Sequence, residues 1–225
     1  MKPLPKLSYQ RAVNTEINQV LFLSMAFSVL LAIIRIVVTG RLTFLFLVWN
    51  LFLAYVPYVL TAWLSQKPAY MERRGIFILF LAGWLLFIPN SFYLVTDLFH
   101  LGQHTGAPLW FDLALMISFA WNGVLLGVLS VRQMEKIMQV YLFGRHELLF
   151  ILPVMWLNAL GIYIGRYLRF NSWDIITNPF ELFTDIALLI VHPLQNVHAW
   201  GMIACYTLLM TVIYLTMKRM NKTIG

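Results

Sequence analysis

Four residues in the run FIPNSFYLVTDLFHL (residues 87–101) carry groups that a lipid-facing segment has no use for: Asn90, Tyr93, Asp97 and His100. A carboxylate or an imidazole can do general acid/base work, so Asp97 and His100 are the candidate catalytic residues. On a single helix at about 100° per residue, Asn90, Tyr93, Asp97, His100 and His104 fall within an arc of about 80° and make one polar stripe. Alternatively, Pro89 kinks the segment, Thr96 and Asp97 cap a new short helix, and Gly102 ends it. The spacing D-x-x-H-x-x-x-H suits metal ligands, but Gly102 interrupts the helix that such a site needs. Neither a metal nor a cofactor is expected.

The second chemically unusual stretch is GRYLRFNSWDIITNPFELFTDIALLIVHPLQNVHAW (165–200). Arg166 and Arg169 are three apart and share a helix face. Guanidinium forks grip carboxylates and phosphates at two points, so an anionic small molecule or lipid headgroup is the expected ligand, with Asn90, Tyr93, Asp112, Asn171 and Asp174 as further contacts. Snorkelling, or pairing with Asp97, Asp112 or Asp174, accounts for the same arginines without a ligand. Asn178-Pro179 with Glu181 reads as a helix start resembling a capping box, and Pro193 limits that helix to about 179–192. Glu181, Asp185 and His192 fall on one side of it, as a wall of the site or, the favoured reading, as the wet face of an interfacial helix. NSFYLVTD (90–97) and NSWDIITN (171–178) echo one another and suggest a shared local structure. Ser91 and Ser172 have no base at a defined spacing, and no nucleotide loop, zinc pattern or hydrolase elbow is present.

The elements that must position these groups follow from composition. Of the residues, 61% are hydrophobic and 11% charged, where a soluble domain carries about 25% charged. Crossing a bilayer as a helix takes about 20 apolar residues, and six stretches supply them, at about 18–38, 42–64, 75–96, 110–131, 147–168 and 197–217. The expected fold is an all-α polytopic bundle, one domain over 1–225, with six spans and a short interfacial or re-entrant helix before the last. The net charge of +7 gathers at the N-terminus, at 67–74, at 132–145 and at the C-terminus. Such alternation is the signature of cytoplasmic loops rather than of nucleic-acid binding, so both termini should be cytoplasmic and 97–109 and 166–196 outside. The basic N-terminus followed by a long apolar run with no A-x-A site reads as a retained anchor. Cys205 has no partner for a disulfide.

WNLFLAYVP (49–57), WLLFIPNSFYLVTDLFHL (84–101), WFDLALMISFAWNGVLLG (110–127) and GIYIGRYLRFNSWDIITNP (161–179) together resemble a bacterial family of integral membrane proteins known as domain of unknown function 1361. The resemblance is strongest from Trp49 to Pro179. It implies a multi-span protein of the bacterial cytoplasmic membrane in contact with membrane lipids, and it implies no activity.

Two functions fit the residues. One is a membrane-embedded site opening outward, in which Asp97 or His100 handles a proton and the arginines hold an anionic lipid-linked or phosphorylated substrate. The other is a small-solute permease, or an accessory protein, using the same outer face. A carrier needs a polar path to the far side, and only Arg35, Asn122 and Asn158 interrupt the apolar runs at depth. That favours a one-sided site. Asp97 and His100 are expected to meet Arg166, Arg169 and Asp174 beneath the short helix, and Asp97→Asn to fold normally.

Overall fold

The computed structural model describes residues 5–102, 106–142 and 147–224, and the described residues are helical wherever they are regular. Helix α1 spans Pro5–Thr39, α2 Leu45–Ser65, α3 Pro68–Glu72 and α4 Arg74–Thr96, with a 3-10 turn at Asp97–His100. Then follow α5 (Leu109–Leu142), α6 (Leu148–Tyr163) with a π turn at Ile164–Leu168, α7 (Asp174–Thr177), α8 (Pro179–Val191) and α9 (Val197–Ile224). Six of these helices are long and apolar enough to cross a membrane. The chain is a multi-pass helical membrane protein. Its belt of exposed apolar side chains, Phe22, Leu79, Trp121 and Leu208 among them, is what a lipid environment accommodates at no cost.

Helix α5 is the axis of the bundle, with 67% of its most apolar window buried against 22% for α1 and for α9. It runs past the expected end at 131 because 132–142 is amphipathic: Met134 and Ile137 are buried while Lys136 is exposed. At 34 residues it is about 51 Å long, well beyond a hydrocarbon core of about 30 Å. Glu135 on this extension accepts from Lys218 at 2.6 Å and from the Tyr214 hydroxyl at 2.5 Å, and Lys218 also pairs with Glu147 at 2.8 Å. This clamp ties α5, α9 and the start of α6 at one end of the bundle.

Helix α4 carries the first polar stretch and lies between two helices that each present a G-x-x-x-G pair. Hydrophobic attraction between helices is weak in lipid, so close backbone approach across small residues drives their packing. A Cβ on Gly123 of α5 would come within 2.3 Å of the Ser91 carbonyl oxygen, and one on Gly127 within 2.8 Å of the Phe92 ring. On α6, a Cβ at Gly161 would meet Pro89 at 2.6 Å and one at Gly165 would meet Tyr93 at 3.2 Å. The residues of α4 that a Cβ at these glycines would meet, Pro89, Ser91, Phe92, Tyr93 and Leu94, belong to the first polar stretch. Pro89 lies inside α4, which continues through it to Thr96. The continuous-helix reading therefore holds to Thr96, and a change to 3-10 geometry follows at Asp97.

Helix α8 has 13 residues, about 20 Å and too short to span. It buries Leu182 and Leu189 and exposes Phe180, Phe183 and Ile190. Pro179 is its first residue, but the cap differs from the expected box: the Asn178 side-chain amide donates to the Glu181 carboxylate, and no side chain caps the backbone. Glu181 and His192 are exposed and Asp185 half-buried. The echo between 90–97 and 171–178 is not structural, since the first copy is helix and the second is a turn leading into α7. The two copies nevertheless touch, through Asn90 Nδ2 donating to Ser172 Oγ at 3.1 Å.

Candidate functional site

Arg166 lies in the π turn that closes α6, a widened turn of the kind that often accompanies functional positions. Its side chain, 13% exposed, crosses to the end of α4. Nε donates to Thr96 Oγ1 at 3.1 Å, and Nη2 donates to Thr96 Oγ1 at 2.9 Å and to Asp97 Oδ1 at 2.5 Å. Nη1 lies 2.9 Å from His100 Nε2. A guanidinium only donates, so His100 Nε2 accepts this bond and a neutral ring carries its proton on Nδ1. The guanidinium also stacks over the Tyr93 ring at 4.5 Å. Asp97 is 1% exposed, and its second oxygen accepts from Asn50 Nδ2 of α2 at 3.0 Å. One arginine thus draws together three helices, with its charge balanced by one carboxylate.

Beside this cluster, α2, α4, α6 and the segment from Phe170 to Ile186 line a half-open cavity of about 420 Å³, within the range of about 300–1,000 Å³ usual for small-molecule sites. Its body is apolar, walled by residues such as Leu53, Leu86, Leu160 and Ile164, with Leu182 and Ile186 of α8 covering one side. Its polar end carries Asn50, Asn90, Tyr93, Asn171 and Ser172. Asn50 and Tyr93 belong both to the cavity wall and to the surroundings of Arg166, so they couple the two. Asp97, His100 and Arg166 do not line the cavity; they stand behind that wall.

The structure therefore brings together Asn90, Tyr93, Asn171 and the Asp97–His100–Arg166 group, and it separates three other expected members. Asp112 is buried elsewhere: both its oxygens accept from Arg35, Nε at 2.7 Å and Nη2 at 3.1 Å, and the Arg35 guanidinium stacks on Phe44 at 4.2 Å. Two ionisable groups at one depth on neighbouring helices cost least when they neutralise each other, which removes Asp112 from the site. Arg169 is exposed and has no ion pair among the described residues. It occupies the left-handed region at φ 62° and ends α6, its backbone N–H bonded to the Ile164 carbonyl. The conformation turns Arg169 off the helix face that spacing alone assigned to it. Asp174 is partly exposed and serves its own turn, accepting from the Asn171 backbone N–H at 2.5 Å and from Thr177 Oγ1 at 2.9 Å. That backbone bond, chiefly, holds its carboxyl below the usual range. His104, the second histidine of the metal spacing, lies outside the described residues.

The remaining polar residues at depth bond to neighbouring helices or within their own. Asn122 Nδ2 donates to Ser28 Oγ at 2.9 Å and to the Ser24 carbonyl at 3.1 Å, joining α5 to α1, and Asn158 donates within its own helix to Val154 at 2.9 Å. Ser91 Oγ donates to the Ala54 carbonyl at 3.0 Å and is fully buried, a structural role. Sequence reasoning passed over Asn50, Thr96 and Ser172 as site residues. The signal for Asn50 was present, since a carboxamide in the middle of the apolar run 45–65 needs a partner at its own depth. No curated protein and no solved structure matches the chain. The family described as Protein of unknown function (DUF1361) matches residues 49–213, a stretch that contains the whole cavity and the Arg166 cluster, and the chain belongs to that family.

Proposed function

We propose that this membrane protein binds a lipid-linked amphiphile in the cavity between α2, α4, α6 and α8, with the apolar chain against the leucine wall and the head among the amides. The observation that carries the reading is the division of the cavity into an apolar body and a polar end backed by the buried Arg166–Asp97–His100 group. An apolar wall continuous with a group of carboxamides and hydroxyls complements a molecule that has both an apolar chain and a polar head. By the charge rule the polar end faces outward, so the molecule enters from the outer leaflet. Asp97 and His100 act in this reading as positioning residues: they hold Arg166, and through Asn50 and Tyr93 they set the shape of the polar end.

A photoreactive amino acid placed at Leu160 in intact cells tests this. The expected result is a discrete amphiphile crosslinked there and not at Leu208, which is exposed on the lipid face of α9. The same bulk lipid mixture from both positions would reject the proposal.

A further inference from the structure

Resting on that reading, we infer that the head of the amphiphile is uncharged and rich in hydroxyls, a glycosyl or other polyol group selected by Asn50, Asn90 and Tyr93. None of the described residues lining the cavity is charged. Its polar end consists of carboxamides and hydroxyls, each able to donate and to accept. A hydroxyl also does both, so a polyol can satisfy an amide oxygen and an amide N–H together. A phosphate only accepts. It would leave the amide oxygens beside it unpaired, a costly state for groups in a largely apolar cavity.

The polar end holds unused capacity of the right kind. Asn50 donates to Asp97, and Asn90 donates to Ser172 and to the Phe87 carbonyl. Asn50 Oδ1, Asn90 Oδ1 and the Tyr93 hydroxyl have no hydrogen-bond partner among the described residues. Both acceptors can take a donor from the ligand, which a polyol supplies and neither a phosphate dianion nor a choline does. The nearest cation does not change this balance. Arg166 spends Nε, Nη1 and Nη2 on Thr96, His100 and Asp97, and it lies behind the Tyr93 ring rather than on the cavity wall. Asp97, one hydrogen bond from the cavity through Asn50, neutralises Arg166, so the pair offers an incoming anion no net charge.

The test uses the full chain in vesicles of phosphatidylethanolamine and phosphatidylglycerol, with probes built on one photoreactive alkyl chain bearing a glucosyl, a phosphate or a phosphocholine head. Labelling is read on peptides covering 157–172. The glucosyl probe should label them at least about fivefold more than the other two, the effect of one well-made hydrogen bond. Asn90→Leu should remove most of that preference. Tyr93→Phe, which keeps the ring beneath Arg166, should lower it without disturbing helix packing, so the test survives if Asn90→Leu does not fold. Equal labelling by all three probes, or preference for phosphate or phosphocholine, overturns the inference while leaving the amphiphile reading in place. No labelling of these peptides by any probe overturns both. Competition by free glucose as strong as by the glucosyl probe would also overturn it, by showing a soluble ligand.

Discussion

Asp97 shows how a residue's role changes once its partners are known. From the sequence, a carboxylate at the end of a span is a cap, a base or an ion-pair partner, and Asp97→Asn is expected to fold normally. In the structure the carboxylate is buried against Arg166, so the amide variant leaves a guanidinium without a counter-charge. Breaking such a buried pair costs about 3 kcal/mol. Thermal unfolding in detergent should show Asp97→Asn strongly destabilised, and Asp97→Asn combined with Arg166→Gln less so than the sum of the two single changes. Additive losses would mean the pair is not coupled. Arg169 gives the opposite forecast. Its φ of 62° is costly for any side chain but glycine, so Arg169→Gly should unfold at the same or a higher temperature, by about 1 kcal/mol. A marked loss of stability would show that its side chain holds the fold. The residue types of the site were legible in the sequence because ionisable and amide groups are conspicuous in an apolar chain. Their pairing was not: Asp97, Asp112 and Asp174 looked equivalent, and only packing assigned the first to Arg166, the second to Arg35 and the third to its own turn.

At the scale of elements, spans were legible because length and apolarity alone decide them, whereas the overrun of α5 to Leu142 was hidden in an amphipathic, charged tail. The two G-x-x-x-G pairs were open to view as well, and their meaning depends on α4 lying between them. Gly123→Ala and Gly161→Ala should each destabilise the protein by about 1–3 kcal/mol, as overpacking does, because a Cβ at either position runs into Ser91 or Pro89. Gly201→Ala meets nothing within 4 Å and serves as the control. Equal effects at the three positions would contradict the packing described. The turn at 171–177 carries a pH signature. The Asp174 carboxyl is held below its ordinary value of about 3.9, chiefly by the Asn171 N–H. Its contribution to the turn is therefore full above that value and is lost as pH falls through the lower folded one. Hydrogen exchange at the Asn171 amide should rise, relative to neighbouring amides, only in that acid window; in Asp174→Asn that extra rise should be absent.

For the whole molecule, the alternation of basic loops predicts both termini in the cytoplasm and, with them, the cavity's polar end outside. Cysteines introduced at Thr177 and Gly225 should react with an impermeant maleimide at Thr177 only, in a Cys205→Ser background. Reaction at Gly225 in intact cells would reverse the orientation. The central claim is that the cavity holds an amphiphile, and mass spectrometry of the intact protein released from its native membrane measures this most directly. Leu86→Trp and Leu160→Trp would each fill the apolar body with an indole while leaving the Arg166 cluster untouched. The account predicts a discrete bound mass on the wild-type chain that both filled variants lack at equal stability. A wild-type chain without any discrete adduct, or an adduct retained by both variants, would contradict it.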